Sequence, residues 1–298
     1  MKKVNFSLKH KIAWRKIIFT LLLAAFFFSS IMIARRAVDS YKTKTLNNEL
    51  SKIHEKINVI ESSSNSNKAF DNNIDLATMD KSIIIAERKR IEEKNKDNEI
   101  RAQIQQLAKI NSDIKGWIRI ENTLVNHPVV QTGDNSFYLE HDAAKNKNRY
   151  GTIFIDEIND VSNPEQLQGQ NIILYGHHMK NRDESMFGSL ERFREDEFFT
   201  ANSSIKFNLF PESYQFQVFG VYLVNQDFDY RNSRLGTQQD IKNLLNRLKN
   251  EQIQFREVSL NPDDTILTLS TCAYDFEDAR LVVMAKLIKA DNRKGTSQ

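Results

Sequence analysis

Apolar positions follow three rhythms along this chain. From Ile17 to Ala34 they run unbroken by charge, rich in Leu, Phe, Ile and Ala. At 1.5 Å per residue this run makes a helix of about 27 Å, near the hydrocarbon thickness of a bilayer. From Leu46 the rhythm changes. Leu46, Leu50, Ile53, Ile57 and Ile60 recur at alternating spacings of four and three, which predicts a short amphipathic helix with a heptad-like seam. Two heptads fit a coiled coil and a helix lying on another surface equally well. Glu61 to Asn73 is rich in Ser and Asn and reads as a flexible break. A second helix is expected from about Asp80 to Ile110, where Glu87 to Lys94 mixes charges like a solvated face.

From Gly116 the third rhythm begins, in short runs of β-branched and aromatic residues bounded by Asn, Asp, Gly or Pro. Strands are expected at Trp117–Ile120, Leu124–Val130, Thr152–Asp156, Asn171–Tyr175, Ser204–Leu209, Tyr214–Val224, Thr265–Ser270 and Leu281–Ile288. A helical insert is expected from Thr237 to Asn250, with Ile241, Leu244, Leu245 and Leu248 on one face. Eight strands with few helices predict a mainly β fold closed into a barrel, which removes exposed sheet edges.

Charge changes the picture at the N-terminus. Residues 1–42 hold nine basic side chains and one acid, Asp39. Of the 42 basic and 39 acidic residues in the chain, 33 and 38 therefore fall in 43–298, a net of −5. A nucleic-acid footprint would cluster basic residues on the folded domain, so nucleic acid is set aside. Lys9, Lys11, Arg15 and Lys16 precede the apolar run, which favours a cytoplasmic N-terminus; Arg35 and Arg36 follow it and oppose that orientation. A cleaved signal peptide has a shorter apolar core and a small-x-small site. This run is longer and ends in Ile33-Ala34-Arg35-Arg36, so an uncleaved single-pass signal-anchor is expected. The expected division is a basic tail 1–16, a membrane anchor 17–34, an extracellular helical stalk 35–109, a β domain 110–290 and a tail 291–298.

Candidate chemistry centres on Cys272, the single cysteine, in Thr268-Leu269-Ser270-Thr271-Cys272. One thiol cannot form an internal disulfide. It is either a small buried hydrophobe or a nucleophile. A thiol attacks well when a base can take its proton. His177, in Tyr175-Gly176-His177-His178, stands where a strand is expected to end, and imidazole is suited to acid–base exchange near neutral pH. Gly176 permits a tight exit there. Arg280 opens the strand after Cys272. Its permanently charged, forked guanidinium suits an oxyanion or a substrate carbonyl. Antiparallel pairing of those two strands would bring Cys272 and Arg280 to one rim. A bland reading exists for each residue alone; together, on strand ends of one β domain, they favour acyl-transfer catalysis. His177-His178 could also be half of a metal site, but no H-E-x-x-H and no Cys/His cluster supplies partners. No metal and no cofactor is expected. His10, His54, His127 and His141 are scattered and read as structural or exposed.

These residues resemble a known family. Thr268-Leu269-Ser270-Thr271-Cys272 is similar to the TLxTC signature of sortases, the membrane-anchored cysteine transpeptidases of Gram-positive bacteria, and the chain most resembles their class B. Ile110 to Ile118 resembles the entry into the class B barrel. Pro128-Val129-Val130-Gln131, Asp134-Asn135 and Tyr138-Leu139 resemble the next segment. Tyr175 to Lys180 with Ser185 to Gly188 resembles the catalytic histidine region. The likeness covers roughly Ile110 to Ile288; the long stalk departs from it. It implies an eight-stranded sortase-like barrel. It also implies that Cys272 cleaves a C-terminal sorting motif of secreted surface proteins or pilins through a thioacyl-enzyme. An amine from a peptidoglycan cross-bridge or a pilin lysine would then take the acyl group. His177 would be the general acid and base, Arg280 the oxyanion or substrate stabiliser. Asn135, Leu139, Tyr175, Ser270 and Thr271 would line the motif groove. Two other readings stay open: a peptidase that only hydrolyses, and a non-catalytic membrane-tethered scaffold.

Overall fold

A computed structural model describes residues 4–65, 106–180, 183–210 and 212–291. Two compact units divide it, Met1–Thr45 and Leu46–Gln298. Helix α1 (Val4–Asn65) supplies the first unit and opens the second. In the first unit, Leu21, Leu22, Phe26, Phe27, Phe28 and Ile31 are all more than half exposed. Among the described residues, α1 is the one helix long and apolar enough to cross a membrane, as a membrane anchor or a signal would be.

The second unit is built on a sheet that closes. Its strands are β1 (Ile114–Ile120), β2 (Asn126–Val130), β3 (Ile153–Ile155), β4 (Asn171–Tyr175), β5 (Ser204–Leu209), β6 (Glu212–Asn225), β7 (Gln252–Phe255), β8 (Ile266–Cys272) and β9 (Ala279–Asp291). They lie in the order β5-β1-β2-β3-β4-β8-β9-β6-β7, and β5 also pairs with β6. Eight strands therefore form the barrel, and β7 is an extra edge outside β6. Each of the eight expected strands is present. β7 is an addition, because Gln-Ile-Gln-Phe is short and only half-buried and pairs with β6 across a bulge.

Alternation along the strands sorts side chains into three apolar clusters. Ile118, Val129, Ile172, Leu174, Phe207, Phe216, Leu269 and Val283 fill the barrel. Outside, Phe219, Tyr222, Ile266, Val282 and Met284 are covered by α3 (Gln238–Leu248) through Ile241 and Leu248. This is the expected insert; Thr237 and Asp240 cap it reciprocally, which sets its first turn. A shorter helix, α2 (Asp196–Ala201), precedes β5.

On the opposite outer face, Trp117, Val130, Tyr138 and Phe154 are covered by Leu107 and by Leu46, Leu50 and Ile53 of α1. The described part of the heptad-like stripe is thus a helix lying on a sheet. His54 stacks on Trp117 with centroids 4.6 Å apart, and Asn47 bonds His127 Nδ1 at 3.0 Å. No separate helix begins near Leu46: α1 is one element, and it continues to Asn65, into the expected break at Glu61–Asn73. The rest of that break, and the second helix up to residue 105, lie outside the described residues; 106–110 are helical.

Candidate active site

Strand pairing builds the site. β4 and β8 run parallel, with Tyr175 opposite Ser270, so both end at the same rim. β9 returns antiparallel from that rim, and Cys272 pairs with Arg280. The intervening turn closes through Ala273 N–H to Ala279 O at 2.9 Å, with Asp278 at φ +57°. The parallel ladder extends past Tyr175. Gly176 N–H donates to Ser270 O at 3.3 Å, and the Thr271 hydroxyl donates to Gly176 O at 2.6 Å. His177 follows, level with Cys272.

Gly176 is required by a neighbour and not by its backbone angles. A Cβ there would lie 2.7 Å from the Phe187 ring, and Phe187 is fully buried. Phe187 N–H in turn donates to His177 O at 3.0 Å. This holds the backbone of the histidine loop against the barrel core.

The His177 ring is oriented by a backbone group. Its Nε2 lies 2.7 Å from Leu139 O. A carbonyl only accepts, so Nε2 carries the proton and Nδ1 is the basic nitrogen of the neutral ring. Gly151 backs this contact: at φ +59°, its Cβ would come within 2.9 Å of Leu139 O and 3.2 Å of His177 Cδ2. The thiol of Cys272 is half-buried and free. Arg280 donates to Ala279 O at 3.1 Å and to Gln226 Oε1 at 3.1 Å. Two of its five N–H groups in this way fix the direction of the guanidinium.

The residues assigned to the groove divide into two sets. The Asn135 amide and the Tyr175 hydroxyl both donate to Asp156, at 3.0 and 2.7 Å. Burial and that carboxylate push the Tyr175 phenol well above its usual range, so it stays a neutral donor. Leu139 is 39% exposed. Ser270 and Thr271 are instead buried, their hydroxyls bonded to Tyr230 and to Gly176 O. These two hydroxyls sit inside the rim, where they tie β8 to Tyr230 and to the segment after β4. On one flank of the rim lies a hollow lined by Asp183, Glu184, Glu191, Glu195 and Asp275, with Arg192, Arg194 and Tyr274. Among the described residues, no group of three or more His, Cys, Asp or Glu is arranged to hold a metal ion.

Sequence reasoning missed Leu139 O, Asp156, Gly151 and Gln226 as supports. A backbone carbonyl has no signature in a sequence. Asp156 and Gln226 are brought to the rim only by strand pairing.

The Sortase domain family model matches residues 118–288. The chain is 32% identical to "Sortase B" of Listeria monocytogenes over 196 residues, 65% of this chain and 77% of that protein. A Staphylococcus aureus sortase B–substrate complex superposes with a TM-score of 0.56 at 36% identity, over 63% of this chain and 86% of that one. A sortase B complexed with triglycine gives 0.57 at 37% identity, over 64% and 87%.

Proposed function

The chain belongs to the sortase family, among the sortase B cysteine transpeptidases, and from that premise we propose how its residues divide the reaction and what they act on. Cys272 is the nucleophile, His177 the general acid and base, and Arg280 the oxyanion stabiliser. The observation that carries this reading is the shared rim: Cys272 faces Arg280 in the β8–β9 register, and His177 leaves the parallel neighbour of β8 at the same level.

The reaction proceeds in two halves. The Cys272 sulfur attacks the carbonyl carbon of the sorting motif while its proton passes to Nδ1 of His177. The carbonyl oxygen takes up negative charge beside the Arg280 guanidinium. The C–N bond then breaks, and the imidazolium returns its proton to the leaving amine. A thioacyl-enzyme remains. The acceptor amine gives a proton to His177 as it attacks this thioester, and the sulfur leaves as thiolate to recover that proton.

The substrate is a C-terminal sorting motif of a secreted surface protein or pilin, lying along Asn135, Leu139 and Tyr175. Ser270 and Thr271 support that groove from within. The acceptor is a primary amine on peptidoglycan or on a pilin lysine. A sortase B solved with triglycine favours a glycine-type amine as the first to try. The apolar run of α1 anchors the enzyme as a single-pass span, with the N-terminus cytoplasmic and the catalytic domain outside.

Intact-mass spectrometry of the full chain in detergent, with sorting-motif peptides and triglycine, tests this. The expected result is an acyl adduct on Cys272 that triglycine discharges into a ligated peptide, and no adduct in Cys272→Ala. Hydrolysis without ligation would make it a peptidase. Turnover in Cys272→Ala, or near-parental turnover in Arg280→Lys, would overturn the assigned roles, because an ammonium cannot copy the planar fork.

A further inference from the structure

A second imidazole stands at the rim. His178 has a side chain only 10% exposed, packed between Gly188 and the ring of Tyr274, whose centroid lies 5.1 Å away. Its Nδ1 is 2.9 Å from the carbonyl oxygen of Cys272. That oxygen can only accept, so Nδ1 carries a proton. The same nitrogen is 3.8 Å from Glu191 Oε1. In the other direction, the Tyr274 hydroxyl donates to the His178 carbonyl at 2.5 Å.

Beyond the Thr271–Gly176 bond, the segment after β4 and the segment around Cys272 are therefore tied twice more, each time side chain to backbone. Both ties lie beyond the last Cα pair of the parallel ladder, Tyr175 with Ser270. Cys272 is the last residue of β8, so its outer side has no further strand bond to β4. The carbonyl held by His178 is bonded to the same Cα that bears the thiol. His178 is also the chain neighbour of His177. This hydrogen bond thus ties the nucleophile's own carbonyl directly to the residue next to the base.

We propose that His178 is a positioning residue for the thiol–imidazole pair: it hangs the Cys272 carbonyl on the loop that carries His177 and exchanges no proton with substrate. The inference rests on Cys272 and His177 being nucleophile and base. An asparagine can place an amide N–H where the Nδ1–H of histidine lies, so His178→Asn keeps the bond and His178→Ala removes it. Tyr274→Phe removes the reciprocal bond and leaves the ring in place.

The experiment measures kcat and KM for transpeptidation by the full chain in detergent, with melting temperatures alongside. A misplaced reacting group costs up to about 100-fold in rate. His178→Ala is expected to lower kcat by about 10- to 100-fold with KM within about twofold, the pattern of a lost alignment. His178→Asn is expected to recover kcat to within about threefold of the parent. Tyr274→Phe is expected to fall between them. Parental kcat in a folded His178→Ala overturns the proposal. So does a His178→Asn as slow as His178→Ala at equal melting temperature, since ring packing and not the bond would then matter. If His178→Ala does not fold, Tyr274→Phe decides: a kcat reduced about threefold or more supports the tie, and a parental kcat overturns it. Cys272→Ala and His177→Ala are run beside these. Activity surviving in either one refutes the catalytic assignment itself, a different failure from a silent His178.

Discussion

Two places in the packed unit use histidine differently. At the rim, His177 and His178 each give an N–H to a backbone carbonyl, Leu139 O and Cys272 O, which fixes their tautomers and directions. At the seam between α1 and strands β1 and β2, His54 is 3% and His127 8% exposed. His54 Nδ1 has no hydrogen-bond partner among the described residues. Burial, aided by the charge of Arg119, pushes His54 down to about 3. Burial pushes His127 down to about 4, against a smaller opposing pull from the Leu124 backbone. A ring at the rim is oriented by a backbone carbonyl. A ring at the seam is a neutral packing element whose protonation opposes folding. Where the ring is buried decides which role it takes; residue type alone does not.

The sharpest way to break this contrast is to remove the seam. A chain starting at Leu46 keeps Leu46, Leu50 and Ile53 over Trp117; one starting at Asp80 loses them. Fully burying one Leu or Ile is worth about 1.5–3 kcal/mol, and Leu50 is fully buried while its two neighbours are partly so. The shorter chain is expected to be less stable by about 5 kcal/mol in urea denaturation. Its thioacylation rate, measured where it is still folded, is expected to stay within a few-fold of the longer chain. Equal stability of the two would show that α1 is not part of the domain's core.

Acid is the next largest lever on the seam. Both folded-state values lie below the ordinary histidine value of about 6.5. The folded state therefore binds fewer protons, and stability is complete above pH 6.5 and falls as pH drops. The slope approaches about 1.4 kcal/mol per pH unit for each histidine below that value, so the pair costs about 3 kcal/mol between pH 6.5 and 5. His54→Phe keeps an aromatic face on Trp117 and removes one titrating group. Its unfolding free energy is expected to fall half as steeply over that window. An unchanged slope would place the acid sensitivity elsewhere.

At the rim, Gly151→Ala probes the orientation of His177. An alanine at φ +59° bears the left-handed cost of about 1–2 kcal/mol, and its Cβ would press on Tyr138 O, Leu139 O and the imidazole. The expected outcome is a modest loss of melting temperature with a fall in kcat of about tenfold. A loss of stability with unchanged kcat would show that the Leu139 carbonyl does not set the ring's working direction.

The same contrast explains what was legible in advance. Eight strands were readable because Val, Ile and aromatic residues alternate between turn residues at each of them, and Cys272, His177 and Arg280 were readable as types at strand ends. β7 was not, because its apolar positions, Ile253 and Phe255, are only two. The stripe of Leu46, Leu50 and Ile53 was visible, yet periodicity shows that a face is buried and not what buries it. Trp117 is the partner only because β1 turns that residue outward. His178 was visible as a neighbour of His177, but its link to Cys272 O depends on β4 and β8 lying parallel, 94 residues apart along the chain.

The smallest expected effect lies beside that link. Arg194 holds Asp275 with bonds of 2.7 and 3.0 Å and also reaches Glu191 at 3.0 Å. The Arg194 hydrogen bond holds the Asp275 carboxyl below its usual range. Such a group contributes above its unfolded pKa near 4, and the contribution is lost as pH falls through the lower folded value. These side chains are about 30% exposed, and water and salt screen them, so the bridge is worth under about 1 kcal/mol. Asp275→Asn is expected to cost that little at pH 7, less in high salt, and progressively less as pH falls below the ordinary carboxylate range. Asp275 is the next residue after Tyr274, whose hydroxyl holds the His178 carbonyl. If Asp275→Asn slowed turnover as strongly as His178→Ala, the alignment of the thiol would belong to the whole Cys272–Arg280 turn and not to the imidazole that holds its first carbonyl.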